Sequence, residues 1–168
     1  MQSQKNNAFT LVELLIVGAV LAGLASLMVI SFIGARSSAR DSQRKSDTKQ
    51  YQSALEQYAN RQNNLYPSTN NAIINTNTSG VNILCNATYL AIANCPNEPQ
   101  GANPYEYSSN GTGGGSATAT QYVLWARLER APLGGTVNFW VICSNGRSGC
   151  VLEANEPTNS TCPALTQC

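Results

Sequence analysis

Residues 8 to 17 read Ala-Phe-Thr-Leu-Val-Glu-Leu-Leu-Ile-Val. One carboxylate, Glu13, stands four residues after Phe9 at the mouth of an apolar run. An acid at the centre of a membrane helix costs about 2.5–3.5 kcal/mol, and less near its end, so such a group calls for a partner. A cut between Ala8 and Phe9 would create a new α-amino group on Phe9. That cation could meet Glu13 within one chain, because positions i and i+4 share a helix face. It could equally meet the Glu13 of a neighbouring chain, which would turn an insertion cost into an assembly force.

The other chemistry-bearing residues are six cysteines, Cys85, Cys95, Cys143, Cys150, Cys162 and Cys168. An even number, all beyond the apolar segment, predicts disulfides formed in an oxidising compartment. Free thiols or a metal site are the alternatives. There is no Cys-x-x-Cys and no histidine in the chain, which argues against zinc. Six cysteines allow 15 pairings. Neighbour pairing is the expectation: Cys85 with Cys95, Cys143 with Cys150, and Cys162 with Cys168.

The lack of histidine also removes Ser-His, Cys-His and His-metal catalytic sites. The glutamates beyond residue 62 are Glu98, Glu106, Glu129, Glu153 and Glu156, scattered through a segment poor in charge. Such carboxylates are expected on the solvated surface rather than in a catalytic pair. No metal and no cofactor is expected, since this part has no Asp and no run of closely spaced acids. Asn-x-Ser/Thr matches at Asn77, Asn86, Asn110 and Asn159 carry little weight in a chain so rich in Asn and Thr.

Charged residues are 11% of the 168, and the net charge of +1 hides an asymmetry. Residues 36–61 hold Arg36, Arg40, Arg44, Lys45, Lys49 and Arg61 against Asp41, Asp47 and Glu56. From residue 62 onward there are three Arg and five Glu, with no Lys and no Asp. The C-terminal part is therefore not a nucleic-acid surface by charge, and direct nucleic-acid binding is not expected.

Elements must place these groups. Leu14 to Ala35 is a stretch of 22 residues without a charge. As a helix rising about 1.5 Å per residue it would span roughly 33 Å, enough to cross a bilayer. A signal peptide would have an apolar core of only about 7–15 residues behind a basic start, whereas here Lys5 alone precedes a longer run. Gly18 with Ala22, and Ala19 with Gly23, give small-residue spacing that lets membrane helices approach closely. Residues 36–62 contain no Pro and no Gly, so the helix continues. Tyr51, Ala54, Leu55, Tyr58 and Ala59 form one apolar stripe. Residues 36–49 have no such stripe. That middle portion is expected to be solvated or to meet charged neighbours, with only the last turns packing on a head. Asn63-Asn64-Leu65-Tyr66-Pro67 ends the helix.

Beyond it, residues 68–80 read as loop, and Leu84–Ala93 as a short helix or turn clipped by Cys85 and Cys95. Strands are expected at Tyr105–Ser108, Gln121–Leu128 and Thr136–Cys143. Asn145-Gly146 then turns a hairpin whose return strand includes Val151-Leu152. Asn110 to Ser116 is a Gly-rich flexible loop. The final residues form a tail stapled by cysteines. So small a sheet needs the helix stripe and the disulfides to hold it.

The pattern Ala8-Phe9-Thr10-Leu11-Val12-Glu13-Leu14-Leu15-Ile16-Val17, behind a short polar leader and ahead of an apolar helix, resembles the type IV pilin and type II secretion pseudopilin signature. The stretch Gly101-Ala102-Asn103-Pro104-Tyr105-Glu106-Tyr107 is similar to the Gly-x-Pro-Tyr-x-Tyr segment of secretion pseudopilins and minor pilins, with one extra residue. The chain departs from the family pattern in having Ala8 where Gly usually precedes the cut, and Ile30 where Pro is frequent. The resemblance implies that a prepilin peptidase cuts between Ala8 and Phe9 and methylates the Phe9 amine. It implies that Phe9 and Glu13 pair across subunits during filament assembly. Some secretion pseudopilins bind calcium, a site not expected here.

The resulting expectation is an α+β protein, a long N-terminal helix packed on a small antiparallel β-sheet head. Residues 1–8 would be a leader, 9–35 a transmembrane and assembly helix, 36–66 its amphipathic continuation, and 67–168 a disulfide-bonded head. The chain would be no enzyme but a structural subunit of a type IV pilus-like filament, homo- or hetero-assembled. It would wait in the lipid bilayer of the inner membrane with its head outside the cytoplasm, and work with the prepilin peptidase and an inner-membrane assembly platform. The assembled filament would be extracellular or periplasmic. The alternative is a pseudopilin of a short type II secretion or DNA-uptake filament. More remote is a membrane-anchored enzyme or adhesin.

Overall fold

A computed structural model describes residues 10–76, 84–86, 89–90, 95–132, 134–135 and 137–168, with the side chains of residues 27–33 outside the description. The chain divides into two compact units, one up to Ser37 and one from Ser38 to Cys168. Helix α1, Leu11–Arg61, is 51 residues long and contributes to both.

In the first unit α1 starts at a reciprocal cap. The Thr10 backbone N–H and hydroxyl each donate to Glu13 Oε2 at 2.9 Å, and the Glu13 N–H donates to Thr10 Oγ1 at 3.3 Å. This is a capping box, Thr at the N-cap and Glu three residues on, satisfying backbone donors that the helix start leaves open. From Leu11 to Leu24 the large apolar side chains are each at least 54% exposed. A Cβ at Gly18 or Gly23 would meet nothing within 4 Å among the described residues.

The second unit is built on an antiparallel five-stranded sheet, ordered β2-β3-β5-β6-β7. Its strands are β2 (Ile74–Asn75), β3 (Glu106–Ser109), β5 (Tyr122–Leu128), β6 (Asn138–Cys143) and β7 (Ser148–Leu152). A two-stranded sheet joins β1 (Tyr66–Pro67) to β4 (Ala117–Ala119). The three expected central strands are present with ends moved by one or two residues; position 136 lies outside the described residues. The hairpin turns at Asn145-Gly146, where Gly146 takes φ +81°, a value a glycine adopts without steric cost. Its return strand begins at Ser148, earlier than the Val151-Leu152 pair. β2 falls where loop was expected, β1 in the segment expected to end the helix, and β4 where no element was expected, because strands of two or three residues carry no period to read. Leu84 and Leu90 form a turn closed by a 3.0 Å backbone bond; residues 87–88 and 91–94 of the expected helix or turn lie outside the described residues.

Helix α1 ends as Asn63 and Asn64 enter the left-handed region, with φ of 53° and 61°. The Asn64 N–H donates back to the Ala59 carbonyl at 2.8 Å.

Strand alternation divides the core. On one face Tyr51, Leu55 and Ala59 of α1 pack with Tyr105, Tyr107, Tyr122, Leu124 and Ala126, flanked by Ala54 and Tyr58. The expected apolar stripe is thus the part of the helix that covers the sheet. On the opposite face Val123, Trp125, Phe139, Val141 and Val151 pack against Cys162 and Leu165 of the C-terminal tail. The tail is tied on by reciprocal backbone bonds between Cys150 and Thr166, at 2.8 and 3.0 Å.

Candidate assembly site

Of the three residues expected at the assembly site, Ala8 and Phe9 lie outside the described residues. Glu13 is placed. Its carboxylate lies at the N-terminal end of α1, occupied locally by Thr10, and is the one acid among exposed apolar side chains from Leu11 to Leu24. An apolar surface of this kind, uncovered by the described residues, marks a surface for lipid or another protein. Among the described residues no helix is long and apolar enough to cross a membrane. The side chains of residues 27–33, inside the uncharged stretch from Leu14 to Ala35, are outside that description.

The middle of α1 meets charged neighbours, one of the two expectations for it; those neighbours belong to the head, which corrects the expectation that only the last turns pack there. Contact with the head begins at Ser38, whose hydroxyl accepts from Arg130 Nη1 at 3.3 Å, and is chiefly ionic from Arg40 onward. The Arg44 guanidinium is 1% exposed and meets three carboxylates. Its Nε donates to Glu98 Oε1 at 2.9 Å, and its Nη2 also donates to that oxygen. Its Nη1 lies 2.8 Å from Asp41 Oδ1 and 2.7 Å from Glu129 Oε1. Arg40 Nε donates to the same Glu129 oxygen at 2.6 Å, and Arg40 Nη2 pairs with Oε2. Asp41 also accepts the backbone N–H groups of Glu129 and Arg130, at 2.8 and 2.9 Å. Glu98 accepts the Gln100 N–H at 2.9 Å. The helix is thereby clasped to the loop before β3 and to the end of β5.

Glu98 is buried at 5% exposure, against the expectation of a solvated surface acid. A carboxylate can be buried when it is paired and hydrogen-bonded, and here both Glu98 oxygens accept from donors. The mixed charges of Arg40, Asp41 and Arg44 were the signal in the sequence; their partners Glu98 and Glu129 lie far along the chain and carried none.

The network shifts its members. Hydrogen bonding from Arg40 holds the Glu129 carboxyl down at about 2, against burial and with help from Arg44. Burial works against the Arg44 charge, but its bonds to Glu98 and Glu129 outweigh it and raise its pKa. Below the network, Tyr105 donates to Asp47 Oδ2 at 2.6 Å. Burial raises the Asp47 pKa although that bond lowers it. Tyr66 and Tyr122 both donate to Glu56, with Tyr66 pushed up to about 12 by burial and that carboxylate.

All six cysteines are in disulfides. Cys85 pairs with Cys95, as neighbour pairing predicts. The other two pairs are corrected: Cys143 bonds Cys162 and Cys150 bonds Cys168. The reason is the hairpin register. Val141 opposes Gly149 and Trp140 opposes Cys150, so Cys143 and Cys150 are far out of register across the β6–β7 ladder. The tail lies alongside β7 and offers each a closer partner. Among the described residues no group of three or more His, Cys, Asp or Glu side chains is placed to hold a metal ion.

No family model matches the chain, and no solved structure does. The type II secretion system core protein G of Aeromonas hydrophila is 32% identical to it over 114 residues, covering 66% of this chain and 78% of that protein. Identity at that level over most of the relative, joined to a long N-terminal helix, a Thr10–Glu13 helix start and an antiparallel head, settles the descent. The chain belongs to the type IV pilin and type II secretion pseudopilin family.

Proposed function

We propose that the chain is a structural subunit of a short pseudopilus of the type II secretion kind, with no catalytic role of its own. The observation that carries this reading is the helix start: exposed apolar residues from Leu11 to Leu24 interrupted only by Glu13, in a relative of a secretion core protein. In this reading residues 1–8 are a leader, 9–35 a membrane and assembly helix, 36–66 its continuation and 67–168 the head. Peptidase cleavage at Ala8/Phe9 and methylation leave an amine on Phe9. Each subunit waits in the bilayer, head outward, until an assembly platform extracts it. The Phe9 amine of one subunit then pairs with Glu13 of its neighbour, and filament packing replaces lipid around the apolar helix. The capping box supports this role, because it turns the Glu13 carboxylate back toward the N-terminal end, where such an amine arrives.

Mass spectrometry of the mature chain tests the processing, with N-methylated Phe9 as the expected first residue; an intact Met1 or a start at Arg36 overturns it. Glu13→Leu is expected to stay in the membrane at native level yet fail to enter filaments. Normal assembly of that variant would remove the pairing. A longer type IV pilus-like filament is the second reading, favoured by the three disulfides of an exposed head. Negative-stain microscopy of cells with and without the gene separates the two by filament length and position.

A further inference from the structure

Two patches on the head carry opposite charge and lie on opposite faces of the sheet. The first is a groove of about 540 Å³ lined by Lys45, Trp140, Arg147, Ser148, Leu165 and Gln167. Lys45 Nζ stands 4.9 Å from the centroid of the Trp140 ring. The Trp140 Nε1–H is buried and has no acceptor among the described residues. An adjoining cavity of about 280 Å³ shares Lys45 and adds Arg130; its acid, Asp41, is already taken up by Arg44 and two backbone N–H groups. Neither Lys45 nor Arg147 has a carboxylate side chain within ion-pair distance among the described residues.

The second patch is a cleft of about 180 Å³ in which Glu106, Glu153 and Glu156 surround Trp125, with Arg127 the one cation among the described lining residues. Trp125 Nε1 donates to Glu156 at 3.4 Å. Burial, and then the charge of Glu156, push the Glu106 carboxyl upward, against a hydrogen bond from Trp125 that lowers it.

The register separates the patches. Trp125 opposes Val141 and Ala126 opposes Trp140, so Trp125 and Trp140 project from opposite faces. They cannot neutralise each other within one chain. We infer that the Lys45–Trp140–Arg147 groove receives the Glu106–Glu156 edge of a second copy of this chain, forming a head-to-tail contact between successive subunits. Such a contact joins unlike surfaces, so it propagates as an open helical array rather than closing into a dimer. A carboxylate entering the groove would supply the counter-charge that the Lys45 and Arg147 side chains lack among the described residues. Charge complementarity of this kind sets register between partners and disfavours wrong ones. The inference rests on the filament reading and adds to it which head surfaces meet.

The test is charge exchange in the full chain, expressed with its assembly machinery. Arg147 is exposed in the hairpin turn and Glu156 is partly exposed, so Arg147→Glu and Glu156→Lys leave the core alone. Each single variant is expected to lower the amount of sheared filament by about tenfold at native membrane level, and the combined variant to recover most of it. Resistance of the head to protease, with all disulfides formed, serves as the folding control. Single variants that assemble like the native chain would overturn the contact, including the case in which an acidic secreted protein is the true occupant. So would a folded combined variant that stays as poor as the singles. If the native chain itself yields no filament in this assay, the filament reading fails instead, and the two failures are told apart.

Discussion

Arg44 on helix α1 and Glu98 in the loop before β3 meet with both side chains only 1% exposed, although 54 residues separate them. This pair fixes where the helix lies on the head. Removing one member would leave the other buried and charged, at a cost of about 3–5 kcal/mol. Arg44→Met is therefore expected to lower the denaturation midpoint of the purified chain sharply. Adding Glu98→Leu is expected to recover part of the loss, since the stranded charge goes with it. Two losses that simply add would show that the residues do not act as a pair.

The same network sets a pH dependence. Glu129 is held at about 2, below its ordinary 4.5, chiefly by Arg40. A carboxyl with a depressed folded pKa adds stability that is fully present above the ordinary value and is lost as pH falls through the folded one. The melting-temperature gap between the native chain and Glu129→Gln is expected to be constant above about pH 4.5 and to close toward pH 2. Asp47, raised by burial, acts in the opposite direction, and it is unchanged in both proteins, so the difference isolates Glu129. A gap independent of pH would assign the loss to something other than this charge.

The tail is the third place where a single atom should matter. A Cβ on Gly149 would stand 2.6 Å from the Thr166 carbonyl oxygen and 3.0 Å from Leu165 Cβ. Gly149→Ala is expected to push the tail off β7 and cost about 1–3 kcal/mol, read in a urea unfolding curve. Peptide mapping without reductant should join Cys143 to Cys162 and Cys150 to Cys168 in the native chain. A Cys143–Cys150 peptide would show that the tail is not held in this way.

What the residues determined unaided was whatever repeats locally. The period of Tyr51, Leu55 and Ala59 marks the helix face that becomes core, because side chains three or four apart share a side whatever else is present. The apolar segments at Gln121–Leu128 and Thr136–Cys143 marked β5 and β6, and the Asn145-Gly146 turn marked the hairpin. The Ala8–Val17 pattern pointed to the family that the protein G relative shows.

Tertiary structure decided the rest, for the common reason that the partners are distant in sequence. Cys143 bonds Cys162 because the tail runs back along β7, which no spacing between cysteines encodes. Arg44 is buried because Glu98 and Glu129 converge on it; in the chain alone it is one more charge on a polar stretch. The strands β1 and β4 exist only as each other's partners. Nearest-neighbour chemistry is written in the order of residues, whereas the burial of a charge depends on which remote groups the fold delivers to it.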